Sequence, residues 1–174
     1  MTDRKKLFTL GIINLIIFII FVTLQYSPVI SLKIMNASPM LPLCLLVAIS
    51  MFSSELTSAF SGLAVGIFID ATAATPSGFN SVCFLVIGLA VSLISKHLFN
   101  NNIFSSLALC GMCSLFYGLL RFAFWGASPL SFSERLGFLM RYIFPSAVYT
   151  TLLIIPLYYL EKYLYNKFYY SYHK

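Results

Sequence analysis

Read only as hydrophobic and polar positions, the chain breaks into six apolar stretches separated by short polar interruptions. They cover residues 7–26, 40–53, 56–73, 79–95, 103–125 and 137–160, and a basic, aromatic tail follows at 161–174. A membrane-crossing helix needs roughly 20 predominantly apolar residues, so five of the stretches predict spans by length. The second is short, which predicts a helix that is tilted, re-entrant or shielded by protein. Pro39 and Pro42 open it, in keeping with the tolerance of proline in a helix's first turn. Ser53, Ser54 and Glu55 then form a tight turn, with Ser54 or Ser53 as N-cap of the next helix.

That third helix carries the most distinctive pattern. Ser58, Gly62, Gly66 and Asp70 recur every four residues, which stacks them in one ridge of very small residues ending in a carboxylate. Inside a bilayer such a ridge lets a second helix approach backbone to backbone. A Thr-Pro-Ser-Gly turn at 75–78 stops the helix. The fifth helix repeats the design, with Gly111, Ser114 and Gly118 followed by Arg121. Both ridges predict close helix packing, within the chain or against a partner helix.

Composition settles which solvent the pattern answers to. The 174 residues are 60% hydrophobic and 9% charged, with mean hydropathy +0.91. Soluble domains carry roughly 25% charged residues. The expected fold is an all-α integral membrane protein of about six transmembrane helices in a single domain. The net charge of +6 does not point to nucleic acid, because the basic residues lie in loops and tails beside apolar spans. Arg4, Lys5 and Lys6 precede the first stretch, which is long enough to span and has no small-x-small cleavage site after it. It reads as an uncleaved first helix with a cytoplasmic N-terminus, and Asn14, polar in mid-span, faces a neighbouring helix.

Six spans place both termini in the cytoplasm. Seven basic residues then lie inside (Arg4, Lys5, Lys6, Lys96, Lys162, Lys167, Lys174) and four outside (Lys33, Arg121, Arg135, Arg141), the bias that membrane insertion favours. The same topology puts Asp70, Arg121 and Arg141 near the outer ends of their helices. Lone charges in a bilayer are costly and usually pair, which predicts that Asp70 pairs with Arg121 or Arg141, as a structural ion pair or in an outward-facing pocket. The tail alternates Lys162 and Lys167 with several tyrosines, a mixture suited to an interfacial helix on the inner leaflet.

Signatures of catalysis are missing from this pattern. His97 and His173 lie in a loop and the tail, so no H-E-x-x-H or Ser–His pair falls within the spans. Cys110 and Cys113 form a C-x-x-C with no second pair to complete a metal site, and with Cys44 and Cys83 they read as small packing residues. The expectation is a non-enzymatic protein with no cofactor and no metal.

Several of these features together resemble one family, the rod shape-determining protein MreD of bacteria. The resemblance rests on the Ser38-Pro39 helix opening before a run of leucines, and on Ser61-Gly62-Leu63-Ala64-Val65-Gly66-Ile67-Phe68-Ile69-Asp70. Ser77-Gly78-Phe79, the apolar span after it and the Pro145-bearing last helix with its basic tail complete it. The resemblance implies a plasma-membrane scaffold of the cell-elongation machinery, serving side-wall peptidoglycan synthesis. Its implied partners are a bitopic MreC-like protein and, through it, an MreB-like actin, a RodA-like glycosyltransferase and its transpeptidase. It also implies a fold similar to the substrate-capture (S) components of energy-coupling-factor vitamin transporters. Such a capture component is the alternative function. Against it, those subunits typically carry Ala-x-x-x-Ala on the first helix, whereas the first alanine here is Ala37. Half of a secondary transporter is a third class, and it would want more mid-membrane polar groups.

Overall fold

The computed structural model describes residues 3–26, 39–72, 78–97, 102–126, 137 and 139–169. The expected loops at 27–38 and 127–136, Thr75–Ser77 of the expected turn, Asn100, Asn101 and the last tail residues, 170–174, lie outside the described residues. Every described element is a helix: α1 (Asp3–Tyr26), α2 (Leu41–Phe52), α3 (Glu55–Thr72), α4 (Phe79–His97), α5 (Ile103–Arg121) and α6 (Phe144–Tyr169). A π-helical turn, Phe122–Gly126, extends α5, and a second one, Leu139–Ile143, leads into α6. Among the described residues, three helical stretches are long and apolar enough to cross a membrane: Phe79–His97, Ile103–Phe124 and Met140–Lys167.

The short helix is the centre of the bundle. Residues Leu41 to Met51 of α2 are all buried, and α1, α3, α4, α5 and α6 all pack against it. A helix that is apolar on every face has no surface to offer water, so it goes to the middle. Twelve residues rise only about 18 Å, well short of a hydrocarbon core of about 30 Å. Backbone groups at the ends of such a helix must therefore be satisfied by protein. At the N-terminal end, Leu41 N–H donates to Gln25 Oε1 of α1 (3.1 Å), and Met40 N–H donates to Thr150 Oγ1 of α6 (3.0 Å). At the other end, Ser92 Oγ of α4 donates to the Ser53 carbonyl (3.2 Å). Of the features expected for the second stretch, shielding by protein is present.

Ser54 is the cap of α3: its Oγ accepts from Thr57 N–H and its carbonyl accepts from Ser58 N–H. Helices α3 and α4 form the closest-packed pair in the molecule. Pro145 is the second residue of α6, directly after the π-helical turn, and Pro156 lies inside the helix. The last helix does not stop at 160. It continues to Tyr169, so much of the expected interfacial tail is helical and continuous with α6. Lys162 lies over the Tyr158 ring and Lys167 over the Tyr163 ring, each at 5.7 Å.

Candidate functional site

The ridge of α3 is a seam against α4. Ser58, Gly62 and Gly66 are buried on the face that meets α4, with Val65 and Ile69 beside them. A Cβ at Gly62 would collide with the carbonyl of Phe84, and one at Gly66 would collide with the backbone of Ser81. From the other side, a Cβ at Gly88 would sit 2.5 Å from the Ser58 carbonyl oxygen. Backbone meets backbone along the whole seam, and only hydrogen fits at these three positions. The second ridge packs more loosely, against side chains rather than backbone. A Cβ at Gly111 would lie 3.3 Å from Thr151 Oγ1, and one at Gly118 would lie 2.8 Å from Ile143 Cγ2. Ser114, between them, is buried.

Asp70 ends the seam and closes over the start of α4. Its Oδ2 accepts from Gly78 N–H (3.2 Å), Ser81 N–H (3.0 Å) and Ser81 Oγ (2.6 Å). Its Oδ1 accepts from Asn80 N–H (3.2 Å) and Asn80 Nδ2 (2.9 Å). The first N–H groups of any helix lack intrahelical partners and carry its positive dipole end, so a carboxylate there is both hydrogen-bonded and electrostatically favoured. Asp70 thus caps α4 from the preceding helix. Gly78 makes the turn possible, since its φ of 101° is a conformation other residues rarely adopt.

The clasp extends to a third helix. Asn80 Oδ1 accepts a hydrogen bond of 2.6 Å from Tyr117 Oη of α5, and both residues are fully buried. Tyr117 in turn stacks edge-to-face on Phe84 of α4, ring centres 5.3 Å apart. Asp70, Asn80 and Tyr117 therefore link α3, α4 and α5 at one end of the bundle.

Arg121 and Arg141 stand apart from this clasp. Arg121 is exposed at the end of α5, and Arg141 is exposed in the turn before α6. The two elements do touch, so the arginines occupy the same end of the bundle. The Asp70–arginine pair expected from sequence is not found among the described residues, where the carboxylate oxygens accept from the N–H groups at the start of α4. The ion pair found among the described residues is Lys96–Glu55 (3.5 Å), between the exposed end of α4 and the start of α3.

Sequence reasoning did not single out Asn80, Ser81 or Tyr117 as Asp70's partners, nor Gln25 and Thr150 as the caps of α2. Asn80 and Ser81 did carry a signal, being residue types that favour helix N-termini. Asn14 faces a neighbouring helix as expected, donating to Glu161 of α6. Cys44 and Cys110 are buried, and both thiols point at the Thr150 carbonyl. Among the described residues, no three His, Cys, Asp or Glu side chains gather as a metal site. Comparison with family models, with curated proteins and with solved structures returned no match for this chain.

Proposed function

We propose that this chain is a non-enzymatic, multi-pass scaffold of the bacterial plasma membrane that serves cell elongation, as its MreD-like motif implies. In this reading six helices cross the bilayer, α2 among them under cover of its neighbours, and both termini are cytoplasmic. The bundle binds a single-span MreC-like protein and, through it, an actin-like filament and the enzymes of side-wall peptidoglycan synthesis.

The observation that carries the reading is the use made of the motif residues. Gly62 and Gly66 hold α3 against α4, and both oxygens of Asp70 are occupied by the start of α4. A carboxylate so engaged fixes the bundle's shape, which is what a docking platform requires. A substrate-capture component would need polar groups left open towards a pocket. The three long apolar helices support the membrane setting.

Depletion of the protein in its own host tests the proposal. Loss of rod shape, with incorporation of a fluorescent cell-wall precursor lost from the side wall, is the expected outcome. Normal shape combined with a new requirement for a supplied vitamin would replace the scaffold with the capture component.

A further inference from the structure

One buried carboxyl plays no part in the clasp. Glu161 is 3% exposed on α6 and faces α1, where Asn14 Nδ2 donates to its Oε2 over a long 3.4 Å. Glu161 Oε1 and Asn14 Oδ1 are both buried without a hydrogen-bond partner. Two acceptor oxygens on a contacting pair of side chains, each lacking a donor, are costly in an apolar interior. A carboxylate and an amide carbonyl can only accept, so neither can satisfy the other.

Among the described residues, no side chain supplies the missing donor. Lys162, next in sequence, is committed to the face of Tyr158. On α1 the ionisable residues are Asp3, Arg4, Lys5 and Lys6, and Lys6 lies two helical turns before Asn14. Helix α2 has no Asp, Glu, Lys, Arg or His, and its Cys44 points at Thr150. On α5 the ionisable groups are Cys110, Cys113, Tyr117 and Arg121; Cys110 bonds the Thr150 carbonyl and Tyr117 bonds Asn80. Arg141 and Tyr142 stand before α6, at its opposite end from Glu161. Tyr158 and Tyr165, three before and four after Glu161, share its face and pack on Phe52, the last residue of α2. The C-terminal end of α2 there presents the negative pole of its dipole, which disfavours a second negative charge.

We propose that Asn14 and Glu161 form a proton-binding lock between α1 and α6. A single proton on Glu161 Oε1, donated to Asn14 Oδ1, satisfies both orphaned oxygens at once. With the existing Asn14 Nδ2 to Glu161 Oε2 bond it makes a two-point acid–amide pair. Release of that proton leaves a buried carboxylate facing a carbonyl, and one of the two hydrogen bonds that tie α1 to α6 is lost. The inference does not depend on the scaffold reading.

Infrared spectroscopy of the full chain in lipid nanodiscs tests it. At neutral pH the spectrum is expected to contain the C=O stretch of a protonated carboxylic acid, shifted in D2O and by isotopic labelling of glutamate carboxyls. Of the other glutamates, Glu55 is paired with Lys96, and Glu161→Gln is expected to abolish the band. A missing band, or one that survives Glu161→Gln, overturns the proposal, and the labelling result stands even if the variant fails to fold. Thermal stability gives the second arm. The protonated form holds the lock, so wild-type stability is expected to fall as pH rises, whereas Glu161→Gln keeps the neutral-pH midpoint and loses that alkaline decline. Stability that follows sodium or potassium rather than pH would assign the site to a metal cation and overturn the proton.

Discussion

Replacing Asp70 with asparagine separates a helix-capping clasp from an ion pair. The asparagine keeps one acceptor oxygen but puts an NH2 group where the other oxygen stood. If the remaining oxygen stays with Asn80, the NH2 faces Gly78 N–H and Ser81 N–H, which at present donate to Oδ2 at 3.2 and 3.0 Å. The Ser81 hydroxyl can rotate and accept instead, so its loss is small. Hydrogen bonds to a charged group contribute about 1.5–3 kcal/mol each, so two of them set an upper bound of about 6 kcal/mol. Asp70 is only half-buried, and water replaces part of what is lost, which brings the expected cost to about 2–4 kcal/mol. The assay is thermal unfolding of a fluorescent fusion in mild detergent, read by the monodisperse fraction recovered. Arg121→Gln and Arg141→Gln are expected to stay within about 0.5 kcal/mol of wild type, since exposed charges contribute little. Either of two results refutes the reasoning: Asp70→Asn as stable as wild type, or Arg121→Gln as damaging as Asp70→Asn.

Further outcomes follow from the same geometry. Tyr117→Phe leaves Asn80 Oδ1 buried without its 2.6 Å donor and is expected to cost about 1–3 kcal/mol in the same assay. Gly62→Ala, Gly66→Ala and Gly88→Ala each drive a methyl group into backbone and are expected to abolish accumulation in membranes, whereas Gly11→Ala, with nothing within 4 Å, is expected to accumulate normally. Gly118→Ala meets the β-branch methyl of Ile143 at 2.8 Å, a group stiff at χ1, and is expected to cost about 1–3 kcal/mol, less than the backbone clashes of the first ridge. Gln25→Ala combined with Thr150→Val removes both acceptors at the start of α2, and is expected to lower the thermal midpoint more than either change alone.

Much of this architecture was legible in the sequence because small residues at four-residue spacing have few other uses in an apolar helix. The seam of α3 therefore lies where Ser58, Gly62 and Gly66 pointed. Asp70's partner was not legible, for a physical reason. A search for a counter-charge finds arginines, but the donors here are uncharged: three backbone N–H groups at the start of α4 and the side chains of Asn80 and Ser81. The burial of α2 was half legible: its length excluded an unaided span, while its cover depended on five other helices, three of them far along the chain. At the end of α6, Glu161 and Lys162 looked like the edge of a span, and the helix itself runs on past them. No glycine or proline follows Pro156, however, and nothing there stops the helix from continuing to Tyr169. Tyr158, Glu161 and Tyr165 at steps of three and four were the missed sign that this carboxyl faces inward.

The most direct test of the scaffold account is purification of the tagged chain from its own membranes in mild detergent, with the co-eluting proteins identified. The account predicts recovery of a single-span protein with an extracytoplasmic coiled coil, together with wall-synthesis enzymes, and loss of both from Asp70→Asn preparations. Recovery of paired ATPases with a transmembrane coupling subunit would contradict it and assign the bundle to substrate capture.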